Sequence, residues 1–321
     1  MNTMQDDIMV SVIVLTYNHE KYICQALDSI LMQKVDFKYE ILVGDDCSAD
    51  ATPEILLEYQ SKYPDKFCIR LRQKNIGATK NAYELHMDAR GHYIANLDGD
   101  DYWIDANKLA KQVKFLEGNH EFVGCSHPCT FVDEEGSVLE AYSVDWIRQK
   151  EIFTLKDFEG LYLPGQISTY MRRNLYCTDC EIDYSLLYKV HPMISDRIAI
   201  MLFLLQGDFY CMKDRMSCYR ISTKDNITSK VYGTGKKYIW EDCQIMFAME
   251  GYIQKYFANA EIDFSSQKQL LFVKALCKIL FYRERGDITL FKQYFNNNFV
   301  RYFMGSIPCI VELAVKKLFG R

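Results

Sequence analysis

The sequence has little glycine and proline and no long run of apolar residues. Of its 321 residues, 16 are glycine and 6 are proline, with no internal repeat, low-complexity tract or Gly/Ser linker. With 49% hydrophobic and 25% charged residues, the composition is that of a folded globular protein and excludes a disordered, collagenous or fibrous one. A membrane span needs about 20 consecutive apolar residues. The most apolar stretch, residues 302–311, is shorter and contains Pro308, so no span is predicted.

The sequence also lacks an excess of basic residues. Lys and Arg number 38 against 43 Asp and Glu, for a net charge of −5, whereas a nucleic-acid-binding protein carries a basic surface that neutralises phosphates. We therefore expect no nucleic-acid partner. No basic segment followed by an apolar run, as in a secretory signal, stands at the N-terminus. We expect a cytoplasmic protein whose twelve cysteines are reduced thiols.

The first hundred residues alternate between strand and helix patterns. Short apolar, β-branched runs predict four strands, at residues 10–15, 39–43, 68–71 and 93–97. An amphipathic stripe, a Thr-Pro helix start and a third helical segment predict helices between them. Strand, crossover helix and strand, repeated at this spacing, predict an α/β fold with a mainly parallel sheet.

After residue 103 the pattern is less regular. Helices are predicted at residues 107–116 and 195–205, and strands at 122–132 and 165–172. From about residue 238 onward almost every segment has a helical pattern, including residues 267–285. The sheet half and the middle section are therefore predicted to form one domain, followed by a helical extension.

Polar residues follow three of the four predicted strands. They form three clusters, Thr16-Tyr17-Asn18, Asp45-Asp46 and Asp98-Gly99-Asp100-Asp101. Open parallel sheets bind ligands at the carboxyl ends of their strands, so the clusters are predicted to line one site. Turns contain Asp, Asn and Gly for structural reasons alone, but several such clusters on one edge are harder to explain in that way.

Neither glycine-rich phosphate-binding motif of parallel sheets, G-x-G-x-x-G or G-x-x-x-x-G-K-[ST], is present. A nucleotide site without such a loop can hold phosphate charge through a divalent cation that bridges phosphates and carboxylates. Asp98-Gly99-Asp100 supplies two carboxylates at the end of an apolar strand. Oxygen ligands favour Mg²⁺ or Mn²⁺, and one of these is the expected cofactor.

Residues 10–103 resemble glycosyltransferase family 2 in the order and spacing of their motifs. The matching segments are residues 10–18, 43–52, 75–81, 91–94 and 97–101. The resemblance implies the GT-A fold, a Rossmann-like mixed and mainly parallel sheet, and an inverting transfer from a nucleotide-diphosphate sugar. It implies a UDP-sugar donor, with a dTDP-sugar as second choice. The acceptor would be a saccharide or lipid-linked saccharide hydroxyl in bacterial surface polysaccharide or glycoconjugate synthesis.

The resemblance also implies roles for individual residues. Thr16 and Tyr17 would bind the nucleotide, with the Tyr17 ring stacked on the pyrimidine. Asp46 would accept a hydrogen bond from N3–H of the base. Asp98 would reach the ribose or the metal ion. Asp100 would bind Mn²⁺ or Mg²⁺ across the two phosphates, where the cation offsets charge on the departing diphosphate.

Two further residues complete the predicted site. Lys80 would add positive charge near the diphosphate. Asp196, at the start of an apolar helix, would be the base that removes the proton of the acceptor hydroxyl; an acid that merely stabilises the helix start is an equal alternative. The chain departs from the family pattern in two places. Ser195 stands where many members have Glu, and no His follows shortly after Arg220, which leaves open a third metal ligand and any role of Arg220.

We predict three regions along the chain. Residues 1–105 form the nucleotide-sugar-binding half of the GT-A domain, residues 106–235 form its acceptor-side half, and residues 236–321 form a helical C-terminal extension. The extension is apolar and aromatic and ends with Lys316, Lys317 and Arg321. We expect it to pack on the catalytic domain or on a second subunit in a homodimer. Peripheral contact with the anionic inner face of the cell membrane is the alternative.

Two other functions remain open. A catalytically inactive nucleotide-sugar-binding homologue would account for the two departures from the family pattern. A zinc-stabilised scaffold would draw on residues that share a face of the predicted strand and on a C-x-x-C pair. Those residues are Cys125, His127, Cys129, Cys177 and Cys180. The structural alternative is that buried free cysteines are ordinary small hydrophobic residues.

Overall fold

The computed structural model describes the chain in two compact units. The described residues are 7–177, 182–193, 195–221, 239–282 and 287–307. The first unit comprises Met1–Phe158 and Tyr162–Ser222, and the second comprises Glu159–Leu161 and Thr223–Arg321. Both sheets belong to the first unit, and the second is helical.

The first unit is built on an eight-stranded mixed sheet with a smaller sheet beside it. The strands are β1 Ile8–Thr16, β2 Lys38–Asp45, β3 Phe67–Leu71, β4 Tyr93–Asp98, β5 Tyr102–Trp103, β6 Phe122–Ser126, β7 Cys129–Val132, β8 Ile152–Phe153, β9 Met171–Arg173, β10 Asp208–Cys211 and β11 Ser217–Arg220. The large sheet has the order β3-β2-β1-β4-β9-β6-β10-β8, and the small one β5-β11-β7. Strands β1 to β4 pair in parallel, and β9 runs antiparallel between β4 and β6. The prediction of a mainly parallel α/β sheet is confirmed.

Within the described residues, seven α-helices of the first unit cover or flank these sheets. They are α1 Ile23–Leu31, α2 Thr52–Lys62, α3 Ala78–Asp88, α4 Lys108–Gly118, α5 Leu155–Phe158, α6 Leu186–Lys189 and α7 Asp196–Leu204. Strand β1 is covered on both faces, which explains its continuous apolar sequence. Val12 on one face packs in the same buried cluster as Leu27 of α1, and Ile13 on the other face packs with Leu85 of α3. Each such side chain contributes about 1.5–3 kcal/mol when fully buried.

The segment predicted as one strand at residues 122–132 is two strands in two sheets. β6 ends at Ser126 in the large sheet, and β7 begins at Cys129 in the small one. Pro128 lies between them and has no N–H to donate, so it interrupts the ladder. The alternation that would have placed Cys125 and Cys129 on one strand face is therefore wrong.

The strand predicted at residues 165–172 is a 3₁₀ turn, Ile167–Thr169, followed by the short strand β9. The Gln166 side chain causes the turn locally, because its carbonyl oxygen accepts a hydrogen bond from the Ser168 N–H at 2.7 Å. This short-range bond competes with extended pairing. The prediction failed because a polar side chain satisfied a backbone group that a strand would have paired.

The second unit consists of helices, as predicted for the C-terminal extension. They are α8 Ile239–Tyr256, α9 Ser265–Tyr282 and α10 Asp287–Phe295, and residues 299–307 are also helical. Phe272 of α9 meets Phe295 of α10 at a ring-centroid distance of 5.4 Å and Tyr302 at 5.9 Å. Within the described ranges, no helix has both the length and the apolar character needed to cross a membrane.

Candidate active site

The carboxyl ends of three neighbouring strands form the centre of the site. Strand β1 lies between β2 and β4, with Thr16 opposite Asp45 and Leu15 opposite Asp98. The Asp46 N–H donates to the carbonyl oxygen of Thr16 at 3.0 Å. The sheet therefore brings together the polar residues that follow these strands, although Thr16 and Asp98 are more than 80 residues apart in the sequence.

The loop after β1 presents Tyr17 toward solvent. The next residue, Asn18, has a φ of 57°, and its side-chain oxygen accepts a hydrogen bond from the Ala49 N–H at 2.9 Å. Its own N–H donates to Ser48 Oγ at 2.8 Å. These bonds join the loop to the one after β2, and they leave the Tyr17 ring 47% exposed. An exposed ring on a fixed loop offers a flat surface for a base.

The Asp46 carboxylate is held in place by backbone amides of the loop before α3. It accepts hydrogen bonds from the N–H groups of Ile76 at 2.8 Å and Gly77 at 3.0 Å. Gly77 has a φ of +88°, and a Cβ there would lie 2.7 Å from the Pro192 carbonyl oxygen, so glycine is required. A carboxylate has about four lone-pair sites, so Asp46 can still accept a hydrogen bond from a ligand.

Asp98, Asp100 and Asp196 form a cluster of negative charge. Burial, together with the charges of Asp100 and Asp196, raises the pKa of Asp98 to about 7. Asp196 is the first residue of α7, and one of its carboxylate oxygens accepts the Arg197 N–H at 2.8 Å. The charge of the acid at the helix start therefore acts on Asp98 at the end of β4. Carboxylates whose charges act on one another in this way are common where cations or protons are bound.

Lys80, the cation predicted near the diphosphate, is on the surface. It is exposed in the first turn of α3, and among the described residues no contact joins it to the three carboxylates. Its proposed contribution to the site is that of a surface charge.

Asp101, which the sequence analysis places in a polar cluster at the site without a role of its own, is buried. Its carboxylate accepts hydrogen bonds from Gln166 Nε2 at 2.9 Å, Ser168 Oγ at 2.7 Å and the Arg220 N–H at 2.8 Å. Burial and the charges of Asp100 and Asp98 raise its pKa well above the usual range, against the effect of the bonds from Ser168 and Arg220. Asp101 therefore fixes the end of the Asp98–Asp101 segment to the small sheet.

The Arg220 side chain holds the same segment from another direction. Its Nε donates to the Asp100 carbonyl oxygen at 2.9 Å, and its two terminal nitrogens donate to the carbonyls of Asp133 and Glu134 and to Gln25 Oε1. The guanidinium also lies 4.5 Å from the ring centroid of Tyr22. Sequence reasoning left this residue without a role, since its partners are distant in the chain.

The donor atoms of the site suit a hard divalent cation. The available groups are the carboxylates of Asp98 and Asp100, beside the buried Thr16 Oγ1, which has no hydrogen-bond partner in the described part of the chain. Oxygen donors of this kind are the ligands that Mg²⁺ and Mn²⁺ take. No three His, Cys, Asp or Glu side chains of the described residues converge to hold an ion unaided. A bound cation would therefore need further ligands, such as phosphate oxygens.

The residues considered for zinc are arranged differently from the expectation. The His127 Nδ1–H donates to the Pro128 carbonyl oxygen at 2.9 Å, and burial lowers the pKa of this imidazole to about 3. Cys125 and Cys129 are buried free thiols whose pKa values burial raises to about 12. Cys180 and the side chain of Cys177 lie outside the described residues. Cys125, His127 and Cys129 are all buried and pack as core residues.

A parallel half-sheet that ends in a tyrosine loop and an acidic segment, joined through an antiparallel strand to a second small sheet, is the architecture of a GT-A glycosyltransferase. The family model for Glycosyl transferase family 2 matches residues 11–176, just over half of the chain. The chain belongs to this family.

Two relatives illustrate how far the similarity extends. TuaG of Bacillus subtilis, a glycosyltransferase assigned to teichuronic acid biosynthesis, is 36% identical over 237 residues, 71% of this chain and 85% of TuaG. The uncharacterized Mycobacterium tuberculosis protein Rv1520 is 44% identical over 128 residues, 40% of this chain and 37% of its own length. The chain thus spans little more than a third of the second relative.

Solved structures share the fold at low sequence identity. TarS of S. aureus in complex with UDP-GlcNAc superposes with a TM-score of 0.59 and 22% identity, over 87% of this chain and 75% of that one. The mannosyltransferase PcManGT from Pyrobaculum calidifontis, in complex with GDP-Man and Mn²⁺, gives a TM-score of 0.51 at 15% identity, over 99% and 89% of the two chains.

Proposed function

We propose that the protein transfers a sugar with inversion from a UDP-sugar to a hydroxyl group of a saccharide or lipid-linked saccharide, with Mn²⁺ or Mg²⁺ bound. The observation that carries the proposal is that the charges of Asp100 and Asp196 act on the buried Asp98 at the carboxyl end of β4, at the edge of the sheet where β1 and β2 lead to Tyr17 and Asp46. TarS with UDP-GlcNAc and TuaG support the class of donor and of product.

The nucleotide would bind between the loops after β1 and β2. The exposed Tyr17 ring would stack on uracil, and Asp46, held by the amides of Ile76 and Gly77, would accept a hydrogen bond from N3–H. Thr16 Oγ1 is a buried atom in need of a partner, which a donor hydroxyl or phosphate would supply. Asp98 would accept a hydrogen bond from the ribose 2′-hydroxyl, which deoxyribose lacks, so this contact would favour UDP over dTDP.

Asp98 and Asp100 would hold the divalent cation. When bound, the cation neutralises negative charge that grows on the departing diphosphate. Arg220 and Asp101 would keep the Asp98–Asp101 segment in a fixed position for this task, through the hydrogen bonds to the Asp100 carbonyl and from the Arg220 N–H. Lys80 would supply additional positive charge at the surface.

Asp196 would act as the base. As the acceptor oxygen forms its bond to the anomeric carbon, the bond from that carbon to the diphosphate oxygen breaks, and the acceptor proton passes to the Asp196 carboxylate. UDP then leaves, and attack from the opposite face inverts the anomeric configuration. A positioned base contributes about 10²–10⁴ to the rate.

The decisive experiment measures UDP release from a panel of UDP-sugars, with acceptor saccharides and Mn²⁺. Asp196→Asn should lower kcat by at least about 10² with UDP affinity retained, whereas Asp100→Asn should weaken binding of the cation with UDP. Asp214→Asn is the matched control, because this exposed acid pairs with Lys111. Full activity of Asp196→Asn removes the base assignment.

The second candidate is a nucleotide-sugar-binding homologue without activity, which Ser195 favours, since many members have Glu at that position. Calorimetry that shows UDP binding, with no UDP released from any donor, would support this candidate. If the wild-type protein neither binds UDP nor releases it from any donor, both functions are wrong.

For the extension, we propose contact with an anionic membrane surface, which suits a lipid-linked acceptor. The helix at residues 299–307 exposes Val300 by 72% and Met304 by 60%, beside Phe299, Phe303 and Ile307, and Lys316, Lys317 and Arg321 follow it in the sequence. Co-sedimentation with phosphatidylglycerol vesicles but not with phosphatidylcholine vesicles is the expected result. A stable dimer that does not bind the vesicles would assign the same face to a second subunit.

A further inference from the structure

The imidazole of His19 lies beside the carboxylate of Asp100, and the proposed function gives this imidazole no role. Its Nε2 is 4.0 Å from Asp100 Oδ2, and the two side chains are 23% and 25% exposed. This separation exceeds hydrogen-bond length, about 2.7–3.2 Å. Two ligands of one octahedral cation, each about 2.1 Å from it, are about 3 Å apart when adjacent and about 4.2 Å apart when opposite. The gap between the two atoms therefore has the width that a shared cation needs.

The backbone of His19 is fixed in this position. Its N–H donates to Thr52 Oγ1 at 2.9 Å, and its carbonyl oxygen accepts the N–H groups of Tyr22 and Ile23, each at 2.9 Å, where α1 begins. A ligand on such a rigid loop loses little conformational freedom when it binds. The imidazole is thus preorganised next to Asp100.

The other ring nitrogen, Nδ1, is buried and has no hydrogen-bond partner in the described ranges. It faces Gly99, where a Cβ would lie 2.8 Å from Nδ1 and 3.0 Å from Thr16 Cβ. Any larger residue between the two aspartates would therefore push the ring away. The absence of a side chain at Gly99 therefore allows the imidazole of His19 to approach the Asp98–Asp101 segment.

We propose that His19 is a ligand of the divalent cation, which it shares with Asp100 when the donor diphosphate completes the coordination. The inference rests on the proposed function. No three side chains of the described residues hold an ion unaided, so the donor diphosphate would have to supply further ligands. An imidazole nitrogen is a softer ligand than oxygen, so it favours Mn²⁺ over the hard Mg²⁺.

The test is electron spin echo envelope modulation of Mn²⁺ bound to the full-length protein with UDP. Wild-type protein should show ¹⁴N coupling of a directly bound imidazole, and His19→Gln should lose it. Titration of Mn²⁺ in the presence of UDP should show an affinity loss of about tenfold or more in this variant, with a smaller ratio of Mn²⁺ to Mg²⁺ affinity. His92→Gln is the matched control, because His92 is exposed and pairs with Asp7.

Gly99→Ala is a second variant that keeps the imidazole and displaces it, and it should weaken Mn²⁺ binding in the same direction. His19→Asn replaces His19→Gln if the latter does not fold. Wild-type Mn²⁺ binding without ¹⁴N coupling, or with coupling that survives both His19 variants, overturns the inference and leaves the proposed function intact. If UDP binds but Mn²⁺ does not, the cation part of the proposed function fails, and the inference fails with it.

Discussion

Replacement of Arg220 by alanine tests whether the position of the Asp98–Asp101 segment depends on this distant side chain. The side chain donates four hydrogen bonds, to the Asp100 carbonyl at 2.9 Å, the Asp133 carbonyl at 3.1 Å, the Glu134 carbonyl at 2.9 Å and Gln25 Oε1 at 2.8 Å. Arg220→Ala removes all four but keeps the Arg220 N–H that Asp101 accepts. The segment therefore loses the hydrogen bond to the Asp100 carbonyl but keeps those that Asp101 accepts.

The expected effect on stability follows from these contacts. A hydrogen bond to a charged group contributes about 1.5–3 kcal/mol, but such values are not additive, and water replaces part of the loss. We expect the free energy of unfolding to fall by about 3 kcal/mol, the worth of one or two hydrogen bonds to a charged group. The activity of the folded variant should also fall, because a displacement of about 1 Å in a reacting group lowers the reaction rate about 100-fold.

The assay measures kcat/KM for UDP release and the apparent Kd of Mn²⁺ with UDP, at a temperature where thermal denaturation shows each variant to be folded. Arg220→Lys keeps the charge but not the planar set of donors, and it should give an intermediate value. Arg215→Ala is the matched control, because Arg215 lies near the start of β11 and donates to the Cys129 carbonyl.

The reasoning would be refuted by an Arg220→Ala protein that is destabilised as expected but keeps Mn²⁺ affinity and kcat/KM within twofold of wild type. That result would make Arg220 a structural residue with no influence on the position of Asp100. If Arg215→Ala loses as much activity as Arg220→Ala, the loss would come from disturbance of the small sheet as a whole and not from the contact between Arg220 and Asp100.

Three further variants test other parts of the account. Burial and neighbouring charges raise the pKa of Asp98 to about 7, above its unfolded value, so ionisation of Asp98 opposes folding. Asp98→Asn should therefore raise the free energy of unfolding in urea at pH 8 but hardly at pH 4. An equal increase of the unfolding free energy at both pH values would contradict this. Burial lowers the pKa of Lys108 to about 7, below its unfolded value, so the charged form opposes folding. Lys108→Met should therefore raise the unfolding free energy more at pH 6 than at pH 10, although Gln112 loses its hydrogen-bond partner. A larger increase at pH 10 than at pH 6 would contradict the lowered pKa. Tyr17→Ala should raise the Kd of UDP by the equivalent of about 1–3 kcal/mol of stacking at unchanged Tm, with Tyr17→Phe as control in calorimetry, and unaltered affinity would exclude stacking.

The sequence determined the half of the site that lies on parallel strands. Short apolar runs separated by helices require a parallel sheet, and the carboxyl ends of neighbouring parallel strands meet at one edge. For this reason the positions of Thr16, Asp46 and Asp98 relative to one another followed from local patterns. The same patterns could not give the strand order beyond β4 or the break at Pro128, where one missing N–H separates two sheets.

The tertiary structure alone decided what surrounds these residues. The bond from the Arg220 N–H to Asp101 joins positions 119 residues apart, and His19 reaches Asp100 across the width of two loops. Such contacts depend on how separate elements pack, and no periodicity in the sequence records them. The local patterns around Asp101 and Arg220 do not show which groups these residues contact, so only the folded chain shows that both hold the Asp98–Asp101 segment in position.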